Sequence, residues 1–527
     1  MEVMRKYPVG IQTFAEIIRE GYVYVDKTAL VWQLAHHAKY IFLSRPRRFG
    51  KSLLTSTLES YFCGDRQLFR GLKIESLERE WEAYPVIRLD LSMAKGQNTP
   101  EELRKTLMWL MKPLVEQYGK DDDEATPGQL LTGLMRRARQ AAGRQVVVLI
   151  DEYDAPLLDV LHTQETLEGM RRVMQEFYQP LKADEAIVKF CFITGITKFS
   201  QLSIFSTINN LKDVSLLPHF STICGFTEEE VSSVFAHDIK TMAKAYKLSP
   251  EEMYRQIKSK YDGYHFAGES PAVFNPFSLL NAVSDQMLND YWFASGTPTF
   301  LIRQMQHFHT DITSLDNLEV PSSAFNRPTE NMEDALPLLY QSGYLTIKHY
   351  DRQSAMYTLS IPNQEVRVGY VNGLLPVYTG LKSYDVQAGF ALKFWRALSD
   401  GDIDLAMRHM QAYLAGIPYV EGFKKKLAEA ATAEGFYEHT LYLIFSMLNV
   451  YVRTQVKVAN GRVDMVVVMP AAIYVFEFKL GASASEALRQ IDDKHYALPW
   501  KADARRVVKV GVSFDKDTRT IADWVIG

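Results

Sequence analysis

The loop at residues 44–52 carries residue types that bind a phosphate chain. It ends in Gly50, Lys51 and Ser52, after an apolar run at 40–43 and before apolar residues at helical spacing. In such a strand–loop–helix unit, backbone N–H groups at the helix start face the phosphates, the lysine bridges the β and γ oxygens, and the serine hydroxyl ligates Mg²⁺. The stretch therefore predicts a nucleoside triphosphate site that takes ATP and Mg²⁺. A basic loop without a ligand is the alternative.

The start of this loop departs from the usual G-x-x-x-x-G-K-[ST] pattern. Arg45 stands where a glycine normally permits a tight turn, so the chain must enter the loop differently. Arg47 and Arg48 are expected either to clamp the γ-phosphate of their own site or to reach a neighbouring subunit's nucleotide. Only the second arrangement requires a homo-oligomer. The loop residues predicted to contact the nucleotide are Arg45, Arg47, Arg48, Phe49, Gly50, Lys51 and Ser52.

A strand that ends in two acids supplies the second half of such a site. Residues 145–150 form an apolar run typical of a buried parallel strand, and Asp151 and Glu152 follow it. Asp151 would hold Mg²⁺ together with Ser52, and Glu152 would polarise the attacking water as the catalytic residue. An acidic helix cap is the alternative. We expect this strand and the loop strand to be adjacent. Thr194, at the tip of a third apolar run, either senses the γ-phosphate or simply ends a strand.

A second group of polar residues lies on apolar runs near the C-terminus. Asp464 is the single acid of the run at 462–468, and Glu477 and Lys479 lie two apart in the run at 473–479. Strand alternation places Glu477 and Lys479 on one face and the two phenylalanines on the other. Asp464 and Glu477 provide the hard oxygen ligands that Mg²⁺ or Mn²⁺ prefers. Lys479 would orient or deprotonate the water.

Two helices complete this second group. Glu438 is the carboxylate of an apolar helix at 436–445, and Gln490 lies one turn before Lys494 in a helix at 485–494. The pair Asn460-Gly461 predicts a hairpin turn, and a last strand at 506–512 gives the order α-β-β-β-α-β. A surface salt bridge on an edge strand is the alternative. The predicted catalytic residues here are Glu438, Asp464, Glu477, Lys479 and Gln490, with Asp464 and Glu477 as metal ligands.

Length and composition limit the class of protein. A chain of 527 residues is too long for one ordinary core, so several domains are expected. A net charge of −4 gives no overall basic surface, so any nucleic-acid contact must come from local patches. The three scattered cysteines argue against structural zinc and against a disulfide framework, and they favour a reducing cytosol. With no apolar run of membrane-spanning length, we expect a cytoplasmic protein without a membrane partner.

The order of the elements predicts several parts. Apolar runs near 41, 86, 146 and 189, separated by helical patterns, predict an α/β domain with a parallel sheet over residues 1–227. In this domain an alternating strand at 22–28 would lie beside the nucleotide base. The pattern over residues 228–375 predicts a helical lid followed by a winged-helix-like module with a two-stranded wing. His265 or Asn275 is the lid residue expected to face the nucleotide. Residues 376–430 predict a helical connector, and residues 431–527 predict a second α/β domain.

These motifs in combination resemble those of bacterial AAA-ATPase-like proteins fused to a PD-(D/E)XK nuclease-superfamily domain. The first half matches through residues 45–52, 149–154 and 261–264, and the second through 461–464, 477–479 and 490–491. Arg45 departs from general P-loops but not from this family. The resemblance implies a P-loop NTPase parallel sheet with a helical, winged-helix-like lid and a C-terminal PD-(D/E)XK nuclease-like α/β domain.

Two functions are consistent with this resemblance. The first is an ATP-dependent nuclease whose nucleotide state positions the C-terminal domain on nucleic acid, DNA rather than RNA, with defence against mobile DNA as a setting. The second is an ATP-binding signalling switch whose nuclease-like domain binds nucleic acid or a protein without cutting. The complete set of Asp464, Glu477 and Lys479 favours the first. We then expect the lid around 228–330 to couple nucleotide state to cleavage.

Overall fold

The chain divides into two compact units. A computed structural model describes residues 5–161, 163–198, 211–294, 301, 304–305, 308, 310, 315, 317–328, 332–379, 384–416, 451–458, 461–469, 471–515 and 520–527. Unit 1 consists of Met1–Trp292 with Glu319–Asn363, and unit 2 of Phe293–Leu318 with Gln364–Gly527. No helix within the described residues is both long enough and apolar enough to cross a membrane.

Unit 1 is built on a five-stranded sheet. Its strands are β1 (Tyr40–Ser44), β2 (Val86–Asp90), β3 (Val146–Asp151), β4 (Val188–Gly195) and β5 (Lys212–Asp213). They lie in the order β2-β3-β4-β1-β5, and every pair is parallel. The predicted parallel sheet is confirmed. The predicted adjacency of the loop strand and the acidic strand is wrong, because β4 lies between β1 and β3.

Eight helices of unit 1 accompany this sheet: α1 (Phe14–Arg19), α2 (Thr28–His37), α3 (Lys51–Phe62), α4 (Pro100–Leu110), α5 (Lys112–Tyr118), α6 (Pro127–Ala142), α7 (Ala155–Leu158) and α8 (Gln164–Ala183). Capping boxes at Thr99 and Thr126 start α4 and α6, where each hydroxyl accepts an N–H of the first turn. The apolar faces of α4, α6 and α8 pack with β1–β4 into one core. Residues 22–27 form no strand, contrary to the alternating pattern.

The helical part of unit 1 follows the sheet. It contains β6 (Phe226–Thr227), α9 (Glu228–Val234), α10 (Ala236–Tyr246), α11 (Pro250–Tyr261), β7 (Val273–Phe274), α12 (Pro276–Asp285) and α13 (Tyr291–Ala294). Thr227 caps α9, and β6 pairs antiparallel with β7. The helices pack around their own cluster of buried residues, among them Phe235, Met253 and Phe274.

A small module completes unit 1. It contains β8 (Leu318–Pro321), α14 (Ser322–Phe325), α15 (Leu336–Gln341), β9 (Thr346–Asp351) and β10 (Met356–Ser360). The strand order is β8-β10-β9, so the described wing has three strands where the sequence predicts two. The additional strand is only four residues long and precedes the helix, so it lacks a period-2 pattern long enough to detect.

Unit 2 combines helices with a second sheet. Its elements are α16 (Gln364–Thr379), α17 (Tyr384–Ser399), α18 (Ile403–Ala415), β11 (Tyr451–Val458), β12 (Gly461–Val468), β13 (Ala472–Leu480), α19 (Ala484–Asp493), β14 (Arg506–Phe514) and β15 (Ile521–Ile526). The strands lie in numerical order, with β13 and β14 parallel and the other pairs antiparallel. The described residues confirm the β-β-β-α-β order and add β15. The predicted helix at 436–445, with Glu438, and the turn residue Asn460 lie outside them.

Candidate functional site

A cavity of about 480 Å³ adjoins the N-terminal end of α3 in unit 1. This volume is within the range of about 300–1,000 Å³ typical of small-molecule sites. Charged side chains on its wall are Lys27, Arg47, Arg48, Lys51, Lys95 and Glu152. Apolar side chains on its wall include Ile17, Val23, Val31, Phe226, Phe235 and Leu280. A wall with several cations and a broad apolar part suits a phosphorylated ligand that carries an aromatic base.

The predicted phosphate loop lies at this cavity. Gly50 is the cap of α3 and has φ of 87°, in the left-handed region that glycine tolerates best. The Lys51 ammonium donates hydrogen bonds to the carbonyl oxygens of Arg45 (3.1 Å) and Pro46 (3.2 Å). Lys51 is therefore held within its own loop, with its positive charge beside the N-terminal end of α3, where the helix dipole also favours an anion.

Asp151 and Glu152 meet the loop at the end of β3. Asp151 is fully buried; its Oδ1 accepts the N–H of Glu152 (2.9 Å), and its Oδ2 has no hydrogen-bond partner among the described residues. Burial raises the pKa of Asp151, while the Ser52 hydroxyl and the Lys51 charge act in the opposite direction. Burial also raises the pKa of Glu152, which lines the cavity. The buried Oδ2 fits a hard divalent cation, because such an ion would satisfy this oxygen, and the Ser52 hydroxyl lies near the same carboxylate.

Arg45 is placed differently from the prediction. Its guanidinium donates to the carbonyl oxygens of Ser44 (2.9 Å), Ser215 (2.8 Å) and Phe220 (3.1 Å), and lies 4.3 Å from the centre of the Phe266 ring. Arg45 is 2% exposed and does not line the cavity. Its side chain therefore fixes the base of the loop from behind instead of facing a nucleotide.

The other loop residues divide between cavity and interior. Arg47 is exposed and lines the cavity, and the Arg48 guanidinium lies 4.2 Å from the centre of the Phe277 ring, which also lines it. Phe49 reaches the cavity wall, but its ring is buried and contacts the rings of Tyr264 and Phe266. Arg47 is therefore exposed at the cavity, whereas Arg48 lies at the cavity in contact with an aromatic face.

The end of β4 is tied to its neighbours rather than to the cavity. The Thr194 hydroxyl donates to the Leu43 carbonyl (2.7 Å) and is fully buried, so the structure does not place it at the γ-phosphate. Asp154, which the sequence analysis did not single out, accepts hydrogen bonds from the Ile196 and Thr197 N–H groups and from the Thr197 hydroxyl. A side chain at Gly195 would collide with Asp154 and with the Tyr153 ring. The Tyr153–Asp154 turn therefore lies directly across the end of β4.

Neither polar candidate of the predicted lid lines the cavity. The His265 ring bonds the Ser270 carbonyl, and Asn275 caps α12 by accepting the N–H of Ser278. The cavity wall near this helix is instead formed by Pro276, Phe277 and Leu280. The proline at the first turn of α12 marks a helix start in the sequence, but nothing in its spacing indicates a ligand.

Two further lysines at the cavity were missed. Lys27 donates to Glu230 at 2.6 Å, and both side chains are largely buried, so this ion pair joins the cavity wall to α9. Lys95 follows β2 and is exposed at the cavity. Residues 23–25 line the cavity beside Lys27 although they form no strand, and their position beside a base stays a prediction. Lys27 stands immediately before α2, and this position in the sequence indicates a helix start but does not indicate that the side chain lines a cavity.

The second predicted site forms on β12 and β13 of unit 2. The β12–β13 register pairs Met465 with Phe476, and one step further it brings Asp464 opposite Glu477. Asp464 Oδ2 accepts the N–H of Phe478 at 2.8 Å. The Lys479 ammonium lies 3.5 Å from Glu477 Oε1, as the alternation of the strand predicts.

Glu477 is the centre of this site. It is 2% exposed; the Gln490 amide on α19 donates to its Oε1, and its Oε2 is buried without a hydrogen-bond partner among the described residues. Burial, with the Asp464 charge, raises the pKa of Glu477 to about 7, while Lys479 acts in the opposite direction. Its free Oε2 and the Asp464 carboxylate fit a hard divalent cation. Lys494, predicted on the same helix face as Gln490, is exposed at the end of α19.

The two carboxylates are the acidic ligands that the structure brings together at this second site. Within the described ranges, no group of three or more His, Cys, Asp or Glu side chains is placed to hold a metal ion. Glu438, the predicted third carboxylate, lies outside these ranges. A cation here would therefore take Asp464, Glu477 and non-acidic oxygens from the described residues.

The comparisons with known proteins match both halves of the chain. A family model of predicted AAA-ATPases matches residues 8–205, and a family model of the PD-(D/E)XK nuclease superfamily matches residues 432–524. The chain is also 33% identical over 532 residues to a protein of Azotobacter chroococcum mcd 1 described as an uncharacterized protein in the vnfD 5' region, with 99% of each chain covered. The chain therefore belongs to the family of predicted AAA-ATPases that carry a C-terminal PD-(D/E)XK nuclease-superfamily domain.

Proposed function

We propose that this protein binds and hydrolyses ATP in the cavity of unit 1 and cuts phosphodiester bonds of nucleic acid, DNA rather than RNA, at the site of unit 2. The observation that carries the proposal is the same at both sites. Each holds a buried carboxylate with one oxygen, Asp151 Oδ2 or Glu477 Oε2, that has no hydrogen-bond partner among the described residues. Such oxygens are costly in a folded protein unless a ligand satisfies them, and a divalent cation is the ligand that suits them.

At the ATP site each residue has a defined task. Lys51 leaves its loop carbonyls to bind the β and γ oxygens, and the N–H groups at the start of α3 bind the same phosphates. Ser52 and Asp151 would hold Mg²⁺, which neutralises charge on the phosphates when bound. Glu152 orients the attacking water, and its raised pKa suits it to accept a proton.

At the nuclease site Asp464 and Glu477 would hold Mg²⁺ or Mn²⁺, which polarises the phosphate when bound. Lys479 orients the attacking water and stabilises negative charge on the phosphate. Gln490 positions Glu477 through Oε1, which leaves Oε2 for the ligand. We extend the proposal to nucleotide control of cleavage, with defence against mobile DNA as its setting, because an unregulated nuclease would damage the cell that makes it.

Calorimetry with ATP and Mg²⁺ tests the first activity. Lys51→Ala should abolish ATP binding, because the phosphates lose their cation, and Glu152→Gln should bind ATP but lose turnover. Lys105→Ala, which removes an exposed lysine of α4, is the control. Equal ATP affinity in wild type and Lys51→Ala would refute the assignment.

Cleavage of mixed DNA and RNA with Mg²⁺ or Mn²⁺ tests the second activity. Asp464→Ala should lose metal binding, whereas Lys479→Ala should keep it and lose cleavage. Lys509→Ala, on the neighbouring strand and paired with Asp492, is the matched control. Rates measured with no nucleotide, ADP, ATP and a non-hydrolysable analogue test the control of cleavage; identical rates would leave two unlinked activities.

An ATP-dependent switch with a non-catalytic nuclease-like domain is the second candidate. The finding that favours it is that the described residues bring two, not three, acidic ligands together. Wild-type protein that binds metal through Asp464 and binds nucleic acid, but cleaves none of it, would make this the better description.

A further inference from the structure

The motif at residues 261–264 and the segment at residue 343 lie outside the core sheet, yet both reach the phosphate loop. The Phe49 ring packs edge-to-face on Tyr264, with centroids 4.7 Å apart, and on Phe266, with centroids 5.2 Å apart. A Cβ at Gly343 would come within 2.7 Å of the Pro46 side chain, and within 3.5 Å of the Tyr264 ring. Two loop residues, Pro46 and Phe49, are thus held by residues more than 200 positions away in the sequence.

The loop needs such support because of its backbone conformation. Phe49 lies between Arg48, with φ of 69°, and Gly50, with φ of 87°. A residue with a Cβ in the left-handed region is unfavourable and persists only where its surroundings hold it. Phe49 is 1% exposed, so its enclosed ring fixes the peptide between these two left-handed residues. The contacts of the Phe49 ring therefore lie at the part of the loop whose backbone conformation is least favourable.

The supporting segment is itself fixed. Gly263 has φ of 101°, and a side chain there would collide with the Pro362 carbonyl. Lys348 donates to the carbonyl oxygens of Gly263 (3.0 Å) and Pro362 (2.9 Å). The Thr346 hydroxyl both accepts from the His265 N–H (2.8 Å) and donates to the His265 carbonyl (3.0 Å). The small module thus anchors the segment that carries Tyr264 and Phe266.

We propose that Tyr264 and Phe266 are positioning residues for ATP binding, which hold the phosphate loop in its binding conformation through Phe49. Neither side chain lines the cavity, so they act on the nucleotide only through the loop. Phe266 also lies against the Arg45 guanidinium, which bonds the base of the same loop. Because the loop is held in place before ATP arrives, binding does not have to supply the free energy of ordering it. This inference rests on the proposed ATPase function and adds a role for the 261–264 motif and for the small module.

The test compares Tyr264→Leu and Phe266→Leu with Phe177→Leu. Phe177 is equally buried in the unit 1 core and has an aromatic neighbour, Tyr178, but it does not line the cavity. Each of the first two variants should weaken ATP binding by about tenfold, measured by calorimetry well below the unfolding temperature. Phe177→Leu should lower the unfolding temperature and keep wild-type ATP affinity. Tyr264→Phe, which keeps the ring, should bind ATP like wild type.

Hydrogen exchange gives a readout that needs no nucleotide. In the nucleotide-free protein, amides of residues 47–54 should exchange faster in Tyr264→Leu and Phe266→Leu than in Phe177→Leu. Unchanged ATP affinity and unchanged loop exchange in both variants would overturn the positioning role while leaving the ATPase intact. If wild type binds no ATP, the proposed function fails, and loop exchange still decides whether these rings hold the loop. If Tyr264→Leu does not fold, Phe266→Leu decides the same question.

Discussion

Metal binding at the unit 2 site is expected to release a proton at acid pH. The pKa of Glu477 is about 7, so the carboxyl is about 90% protonated at pH 6 and about 10% protonated at pH 8. A cation binds the ionised form, and its apparent affinity should therefore fall about tenfold from pH 8 to pH 6. Each metal bound at pH 6 should release about 0.9 protons, and at pH 8 about 0.1.

Calorimetry with Mn²⁺ in two buffers of different ionisation enthalpy measures both quantities. The experiment uses the Asp151→Asn background without nucleotide, so that binding at the ATP site does not contribute. Glu477→Gln lacks this carboxyl, so it should bind Mn²⁺ much more weakly at every pH, and any binding that remains should release no such proton. An affinity that is constant from pH 6 to pH 8, or a proton release at pH 6 that persists in Glu477→Gln, would refute the reasoning. In the metal-free protein the native state binds the extra proton, so the free energy of unfolding should fall as pH rises from about 4.5 to about 7.

Three further predictions concern stability and site geometry. Arg45→Met removes a buried guanidinium from three carbonyl oxygens and should lower the free energy of unfolding of unit 1 by about 3–5 kcal/mol in urea titrations. Arg47→Met, at an exposed position, should change this free energy by less than about 0.5 kcal/mol. Glu230→Gln breaks the largely buried pair with Lys27 and should lower the free energy of unfolding by about 1–2 kcal/mol. Glu228→Gln, on the same helix as Glu230, breaks the exposed pair with Lys258 and should lower it by about 0.5 kcal/mol or less. Equal losses in the two variants would contradict the difference in burial. Gln490→Ala should leave metal binding in place but slow cleavage, because Glu477 loses the amide that orients it, and a normal cleavage rate would remove that role.

The sequence predicted the local features of both sites because those features depend on short-range patterns. Buried apolar runs marked β1, β3 and β4, and the acid at the end of β3 marked its polar tip. Strand alternation placed Glu477 and Lys479 on one face, where their charged atoms lie 3.5 Å apart. The parallel sheet followed from the same runs, since helical patterns separate them.

The features that the sequence did not predict depend on distant parts of the chain. Strand order is set by packing between elements, so the insertion of β4 between β1 and β3 has no local signal. Arg45 was assigned to the nucleotide by its place in the loop, but its partners Ser215, Phe220 and Phe266 lie more than 160 residues away and bind it in the interior. The cavity wall formed by residues 276–280 is missed for the same reason. The strand β8 is missed because its four residues are too few for a detectable period-2 pattern.

The turn across the end of β4 bears on how this protein's sequence can vary. Tyr153 and Asp154 lie against Gly195, so any larger residue at position 195 forces both of them to move. Glu152, which has φ of 50°, precedes them directly in the chain and moves with them. Position 195 is therefore coupled to the Asp151–Asp154 run although Asp154 and Gly195 are 41 positions apart in the sequence. A search pattern that joins these two segments should recognise the proposed ATP site in distant relatives whose loop, like this one, lacks the first glycine of the usual pattern.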